Sequence, residues 1–174
     1  MLNKVREIEV QKNNIGLLKI SMNTKGNIQL ENRPSKRSSG LYWLYTSYSI
    51  DELCKSIKST QEGAVKVAQL ANNRKSLRNV IKKESGEEFW VVYNGIGGCK
   101  ETSKHSYDLG SRIVQEFSNH KKTGSLKVMG TNLNDLTKWR YSYVELDGDD
   151  YQINSKSYET CWRLEFGWPI LSNK

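Results

Sequence analysis

The segment SGLYWLYTSYS, residues 39–49, constrains the fold of this chain more than any other stretch. Its aromatic residues favour a β-strand, because large flat side chains suit a pleated, half-buried surface. Alternation along a strand divides the side chains into two faces, with Leu41, Trp43 and Tyr45 on one and Tyr42, Leu44 and Thr46 on the other. A buried phenol also needs a hydrogen-bond partner. The tyrosines therefore point to a functional site as well as to a core.

The elements on either side of this strand can be predicted from local patterns. Residues 15–31 read as two short strands around a Lys-Gly turn. Ser49 and Glu52 form a capping box, which predicts the start of a helical block that ends at Gly86. The 174 residues are enough for one domain with a sizeable core, but not for two full domains.

Beyond the helical block, EEFWVVYNGIGG reads as a second aromatic strand, and SLKVMG and KWRYSYVEL read as two more. Asp108 can cap a helix over LGSRIVQEFSNHKK. The last helix is predicted over SYETCWRLEFG, after an acidic turn DGDD. This mixture predicts an α+β domain with a small, mostly antiparallel central β-sheet flanked by helices. An N-terminal β extension would cover about residues 1–38 and a helical insertion about residues 49–86.

The charge balance favours a polyanionic partner. There are 27 Lys and Arg against 19 Asp and Glu, which gives a net charge of +8 and a pI of about 9.3. Such an excess is typical of nucleic-acid-binding proteins, although a solvated basic surface without a partner is the alternative. The basic residues that flank the aromatic strand are predicted to line the DNA path: Arg33, Lys36, Arg37, Lys66, Arg74, Lys75 and Arg78.

Several other classes of protein are disfavoured. No apolar run approaches the length of a membrane span, and MLNKVREIEVQKNN lacks the apolar middle of a signal peptide, so we expect a cytoplasmic protein with no membrane partner. The three cysteines are far apart, with no CxxC pair, which argues against a disulfide framework or a zinc site. The GIGG segment lacks the Gly-Lys-Ser/Thr ending of a P-loop.

Five short features occur in a suggestive order. They are Gly40-Leu41-Tyr42 on the first aromatic strand, Tyr93-Asn94-Gly95 on the second, Arg112 on the following helix, Glu159 on the last helix, and Asn173. This order resembles the GIY-YIG nuclease superfamily, whose hallmarks are Gly-Ile-Tyr, Tyr-Ile-Gly, a helical Arg, a Glu and an Asn. The resemblance spans residues 40–173. The chain departs from it at the middle residue of each triplet and in the roughly forty residues between the tyrosine strands, an insertion of the kind found in the family's restriction endonucleases.

The resemblance implies a set of site residues. Tyr42, Tyr93, Arg112 and Glu159 would be catalytic, with Glu159 as the ligand of Mg²⁺ or another divalent metal. Gly40, Gly95, His105 and Asn173 would support them. Arg163 and Glu165 remain rivals for the roles of Arg112 and Glu159.

The chemistry of these side chains suits phosphodiester hydrolysis. A phenol can act as a base if a metal, a cation or a hydrogen bond stabilises its phenolate. Arginine offers a planar fork of donors to phosphate oxygens, and one carboxylate can hold Mg²⁺ together with water and phosphate. Taken singly, however, each tyrosine is as consistent with a core position, Arg112 with a helix surface and Glu159 with the first turn of a helix.

We therefore predict a Mg²⁺-dependent type II restriction endonuclease that cuts double-stranded DNA. A homodimer is a possible form of this enzyme. Two alternatives remain open. One is a non-catalytic nucleic-acid-binding module that stacks on bases or clamps phosphates. The other is a small phage, mobile-element or repair nuclease of the same superfamily.

Overall fold

The computed structural model of the protein describes residues 1–98, 107–119 and 124–172. Its strands form one antiparallel five-stranded sheet in the order β2-β1-β5-β3-β4. Their bounds are β1 Leu18–Met22, β2 Ile28–Leu30, β3 Ser39–Thr46, β4 Trp90–Gly97 and β5 Trp139–Leu146. The fold is α+β, as the sequence predicted.

Within the described residues, five helices pack around this sheet on its two faces. They are α1 Leu2–Ile15, α2 Ile50–Cys54, α3 Val67–Arg74, α4 Leu109–Phe117 and α5 Gly148–Phe166. Helices α1 and α5 cover the face that carries Leu41, Trp43 and Tyr45. Helices α2, α3 and α4 cover the opposite face, which carries Tyr42 and Leu44. The predicted division of the aromatic strand into two faces is confirmed.

The aromatic strand β3 is the innermost of the long strands, because it pairs with β5 on one side and β4 on the other. All eight of its residues are buried. The short hairpin of β1 and β2 adds to the far side of β5, and its turn contains Gly26 at a φ of 77°. The predicted hairpin and both aromatic strands are thus confirmed.

The N-terminal segment differs from the β extension that the sequence predicted. Residues 2–15 form α1, whose Val5 and Ile8 pack against Trp43 and Trp162 in the core of one sheet face. The hairpin begins only after Gly16. Local patterns give little sign of helix α1, because its sequence is polar on average and only a narrow apolar stripe contacts the core.

The segment over residues 49–86 is less helical than predicted. The capping box of Ser49 and Glu52 is present, but α2 ends at Cys54, and α3 is the only other helix of the segment. Backbone groups between and after them bond to distant partners. The Ile57 amide donates to the Asn132 side chain, and the Val65 amide donates to the Ser125 carbonyl. These tertiary bonds replace the helical ones that local propensity favours.

Two further predictions of secondary structure are wrong. SLKVMG is not a strand: Lys127 adopts a left-handed conformation with a φ of 50°, and a short 3₁₀ turn, Val128–Gly130, follows it. The acidic DGDD segment is not a turn before the last helix, because α5 begins at Gly148 with Asp149 and Asp150 in its first turn. Acidic side chains are favourable there because they face the positive end of the helix dipole.

Among the described residues, no helix is long and apolar enough to cross a membrane.

Candidate active site

Tyr42 and Tyr93 lie together on neighbouring strands. Tyr42 pairs with Gly95, and Tyr93 pairs with Leu44 two residues earlier on β4. The two rings are on the same face of the sheet, and their centroids are 6.0 Å apart. Both phenols thus share one face of adjacent strands.

The two motif glycines have packing roles. A Cβ atom on Gly95 would lie 2.7 Å from Cζ and from the hydroxyl oxygen of Tyr42, so the ring of Tyr42 occupies the space that any other residue would fill. A Cβ atom on Gly40 would lie 2.0 Å from the carbonyl oxygen of Val144 on β5. Gly95 thus allows the tyrosine pair to form, whereas Gly40 allows β3 to approach β5.

Helix α4 brings a charged pair to the tyrosines. Its N-terminus is capped by Asp108, which accepts a 2.7 Å hydrogen bond from the Ser111 amide. Arg112 and Glu116 follow one turn apart, and their side chains form an ion pair of 2.8 Å. The Glu116 side chain is fully buried, whereas that of Arg112 is 20% exposed.

Glu116 is the functional candidate that sequence reasoning missed. The Tyr42 hydroxyl donates to its Oε1 at 2.7 Å, and the Leu126 amide donates to its Oε2 at 2.7 Å. The only signal in the sequence is its spacing of four residues from Arg112, which places both side chains on one side of a helix. That signal is weak, because such pairs are common on solvated helices.

Both phenols are protonated at neutral pH. Burial raises the pKa of Tyr42 well above its usual value, and the neighbouring Glu116 carboxylate raises it further. Burial and Glu116 also raise the pKa of Tyr93, although the charge of Arg112 opposes the shift. A free phenolate is therefore absent from the resting site, in contrast to the stabilised phenolate that the sequence argument required.

Arg112 is fixed beside the tyrosines by several bonds. Its Nη2 atom donates to the Gly124 carbonyl at 3.0 Å, and its Nη1 atom donates to Gln115 at 3.3 Å. Burial lowers the pKa of Arg112, but the electrostatic influence of Tyr42, Glu116 and Tyr93 outweighs burial and raises it overall. A permanent positive charge thus lies next to the phenols.

Glu159 lies in the middle of α5 rather than in its first turn, so its interpretation as a dipole-stabilising residue is wrong. Its Oε1 atom accepts a 2.7 Å hydrogen bond from Arg163, one turn further on. The Glu159 side chain is 17% exposed and that of Arg163 only 5%. Burial raises the pKa of Glu159, while Arg163 and then Arg112 act in the opposite direction. Arg112 is therefore close enough to influence this carboxylate.

Glu165 and Arg163, the alternatives to Glu159 and Arg112 in the sequence, lie in different surroundings. Glu165 forms a 2.7 Å ion pair with Arg6 of α1, a helix that covers the sheet face opposite the tyrosines. Arg163, in contrast, belongs to the site through Glu159. Because Arg163 is almost wholly buried and Arg112 is not, Arg112 is the better placed of the two to meet a ligand.

Asn94, the unusual middle residue of the second motif, connects Arg163 to the end of the described chain. It is fully buried, and its Oδ1 atom accepts from Nε of Arg163 at 2.8 Å and lies 2.9 Å from the Ser172 hydroxyl. An apolar residue at this position would remove the side-chain oxygen that accepts from Nε of Arg163. Asn94 stands where the GIY-YIG motif has Ile, and it bonds Arg163, the arginine that holds Glu159.

The described residues contain no group of three or more His, Cys, Asp or Glu side chains that could hold a metal ion. Both oxygens of Glu116 accept protein hydrogen bonds. Glu159 is partly exposed and fits the role of a single carboxylate ligand, since Mg²⁺ often takes one protein carboxylate together with water and phosphate.

A cleft of about 420 Å³ opens beside Tyr93. Lys66, Gln69, Leu70 and Asn73 from α3 and its N-cap form one wall, and Gly124 also borders it. Since Gly124 accepts from Arg112, the cleft leads to the charged pair of α4. Tyr93 itself lines this cleft, which therefore gives an approach to the tyrosine pair.

The basic residues predicted to bind DNA lie in several different surroundings. Lys66 lines the cleft beside Tyr93. Arg33 lies near α4, with its Nη2 atom 3.8 Å from Asp108, and Arg78 lines a separate cleft together with Arg163.

The other residues predicted to contact DNA are exposed or have a structural role. Lys36, Arg37 and Lys75 are exposed. Arg74 instead donates to the carbonyls of Ile170 and Ser172, so it has a structural role. Of the other predicted site residues, His105 and Asn173 lie outside the described part of the chain.

No family model, curated protein or solved structure matches the chain.

Proposed function

We propose that the protein is a Mg²⁺-dependent endonuclease that hydrolyses phosphodiester bonds of double-stranded DNA in the cytoplasm, and that it is a type II restriction enzyme. The observation that carries the proposal is the convergence of two tyrosines, Arg112 and a buried carboxylate on one face of the sheet. The tyrosines come from β3 and β4, and the pair of charged residues from α4. The resemblance to the GIY-YIG nucleases involves the same tyrosines and Arg112.

Each group has a separate role in this reaction. A phenol would accept a proton from the attacking water as its own proton passes to Glu116, to which Tyr42 donates at 2.7 Å. This role requires a position within hydrogen-bonding distance of the water. Arg112 would donate to the phosphate oxygens and stabilise the charge that accumulates on them. Arg163 would hold the Glu159 carboxylate in place through their 2.7 Å hydrogen bond.

Glu159 would be the protein ligand of Mg²⁺. The ion supplies Lewis-acid stabilisation of the phosphate and of the leaving oxygen when it is bound. Neutralisation by a cation also suits this carboxylate, because burial disfavours its charge and raises its pKa. Glu116 is a poorer ligand, since a metal would have to displace the hydrogen bonds of Tyr42 and Leu126.

The cleft beside Tyr93 would admit the scissile phosphate, and Lys66 at its edge would contact the DNA backbone. The net charge of +8 favours association with DNA. A restriction enzyme that cuts both strands would act as a homodimer.

Incubation of the protein with plasmid DNA, with and without Mg²⁺, tests the proposal directly. We expect linear or nicked product only when the metal is present. Sequencing of the product ends distinguishes a restriction enzyme, which cuts at a fixed sequence, from a less specific phage or repair nuclease. Intact plasmid over a range of Mg²⁺ and Mn²⁺ concentrations would contradict the proposal.

A non-catalytic nucleic-acid-binding module is the second candidate. Two observations favour it: Tyr42 is fully buried, and the described residues contain no cluster of acidic metal ligands. This candidate predicts salt-sensitive DNA binding without cleavage under any metal condition. The plasmid assay combined with a DNA-binding assay separates the two functions.

A further inference from the structure

Helix α3 forms one wall of the cleft of about 420 Å³ and is held there from its inner side. Val67 and Ala71 of α3 are buried in the core. The Asn72 side-chain amide donates to the last carbonyl of α2 at 3.0 Å, and Arg74 donates to two carbonyls near the end of the described chain. Contacts with three other parts of the molecule therefore fix the orientation of α3 against the cleft.

The outer side of α3 presents polar side chains to the cleft. Lys66, Gln69 and Asn73 are exposed and line it, at spacings of three and four residues that place them on one side of the helix. None of the three side chains forms a hydrogen bond or ion pair with another described residue. Leu70, which also lines the cleft, is only partly buried. The wall thus offers two unengaged carboxamides, one ammonium group and an apolar surface.

The charge of the segment around α3 suits a polyanion. Residues 63–83 include six Lys and Arg but no Asp or Glu. A phosphate backbone can therefore approach this wall without meeting a like charge. Because the cleft is proposed to admit the scissile phosphate, the base pairs next to that phosphate would lie beside α3.

Carboxamides in such a position are suited to reading bases. In the major groove, Asn or Gln can bond adenine through two atoms at once, and an apolar side chain can contact the methyl group of thymine. Gln69 and Asn73 are one turn apart, about 6 Å along the helix axis. Since base pairs are stacked about 3.4 Å apart, the two side chains match base pairs about two steps apart.

We propose that α3 enters the major groove and determines the sequence at which the DNA is cut, with Gln69 and Asn73 each reading an adenine. This inference rests on the proposed endonuclease function. It concerns recognition alone, because the two carboxamides take no part in the hydrolysis. Lys66, one turn earlier, contacts a phosphate and carries no sequence information.

Selection of bound duplexes from a randomised pool, without divalent metal, tests this inference in the absence of cleavage. The wild-type protein should select a sequence with two A·T pairs about two steps apart. Gln69→Ala and Asn73→Ala should each lose the preference at one of these pairs, by about 5- to 100-fold, as expected for one bidentate contact. Affinity for an unselected duplex should stay at the wild-type value, because neither side chain carries a charge.

Matched controls are available on α1. Gln11→Ala and Asn14→Ala make the same chemical changes at exposed positions that line a different cleft, on a helix that covers the other face of the sheet. The sequence that these two variants select should equal that of the wild-type protein.

Gln69→Glu distinguishes base reading from a structural role. It keeps the shape of the side chain but replaces the amide donor with an acceptor, which is suited to cytosine. We expect the selected base to change from adenine to cytosine at one position only. Thermal unfolding of Gln69→Ala and Asn73→Ala should match that of the wild-type protein, since neither side chain bonds a described residue. A loss of preference together with a lower unfolding temperature would assign the two residues a structural role instead.

The outcomes separate this inference from the endonuclease. Unchanged selection by both alanine variants, or a wild-type protein that binds DNA without sequence preference, would overturn the role of α3, even if the protein cuts plasmid in the presence of Mg²⁺. A protein that selects a sequence through Gln69 and Asn73 but cuts no DNA would refute the endonuclease and support the role of α3 in recognition.

Discussion

The carboxylate of Glu159 accepts a 2.7 Å hydrogen bond from Arg163, one helical turn further along α5. Arg163 is itself held by Asn94 on β4, at 2.8 Å. The position of the carboxylate is therefore set by a helix, an arginine and a strand together. Such support is what a metal ligand requires, because an unsupported side chain would lose orientational freedom on binding the ion.

The first prediction concerns this carboxylate. Glu159→Gln keeps the shape of the side chain and one acceptor oxygen but removes the charge that would hold Mg²⁺. We expect plasmid cleavage to fall by several orders of magnitude while DNA binding persists, because binding depends on lysines and arginines elsewhere. Cleavage rates and gel-shift titrations of the same preparation provide the two measurements.

Glu165→Gln is the control for that experiment. It makes the same chemical change on the same helix, but Glu165 pairs with Arg6 of α1 rather than with Arg163. Its cleavage rate should match that of the wild-type protein. An active Glu159→Gln variant would show that the metal ligand is misassigned, and an inactive Glu165→Gln variant would move the role to the rival residue.

The second prediction concerns the dependence of stability on pH. Burial raises the pKa of Glu159 above its unfolded value, so the folded state disfavours the ionised carboxylate. The contribution of the protonated group to stability is full below the unfolded pKa, near 4.5, and is lost as the pH rises through the folded pKa. Relative to Glu159→Gln, the wild-type protein should therefore lose stability between about pH 4 and neutrality.

Urea unfolding of both proteins at several pH values measures this difference. At acid pH the two free energies of unfolding should be similar, and at pH 8 the variant should be at least as stable as the wild type. Saturating Mg²⁺ should restore part of the wild-type stability at pH 8, because a ligand of the folded state stabilises it by mass action. A variant that is less stable only at pH 8 would contradict the expected sign.

Much of the sheet could be predicted from the sequence, because its strands have strong local signals. The alternation in β3 assigned its side chains to the correct faces, and that assignment brought Tyr42 and Tyr93 together. The segment between Cys54 and Val67 could not be predicted, since its amides bond to Asn132 and Ser125, which are far away in the chain.

The same distinction applies to the candidate site. The tyrosines and Arg112 could be found because they fall in short motifs with an order along the chain. Glu116 and Asn94 could not, since the importance of each follows from a partner on another element: Tyr42 for Glu116 and Arg163 for Asn94. A charged residue on an amphipathic helix gives no local sign that a phenol from a distant strand will meet it.

The third prediction concerns Gly95. An alanine Cβ at this position would lie 2.7 Å from the Tyr42 ring, so the ring or the strand would have to move. We expect Gly95→Ala to destabilise the fold by roughly 1–3 kcal/mol, the usual cost of overpacking a core, and to reduce cleavage. Gly148→Ala is the control, because a Cβ there meets no atom within 4 Å. Equal unfolding free energies for the two variants would contradict the packing argument.

The last prediction concerns the path of the DNA. If Lys66 contacts a phosphate at the edge of the cleft beside Tyr93, Lys66→Ala should weaken DNA binding and lower the slope of log affinity against log salt by about 0.9. Lys4→Ala removes the same charge from α1, on the opposite face of the sheet, where Lys4 pairs with Glu7. Its salt slope should equal that of the wild-type protein. Fluorescence anisotropy with a labelled duplex, between 50 and 300 mM salt and without divalent metal, measures both slopes. A reduced slope in Lys4→Ala and an unchanged one in Lys66→Ala would place the DNA on the α1 face, away from the tyrosines.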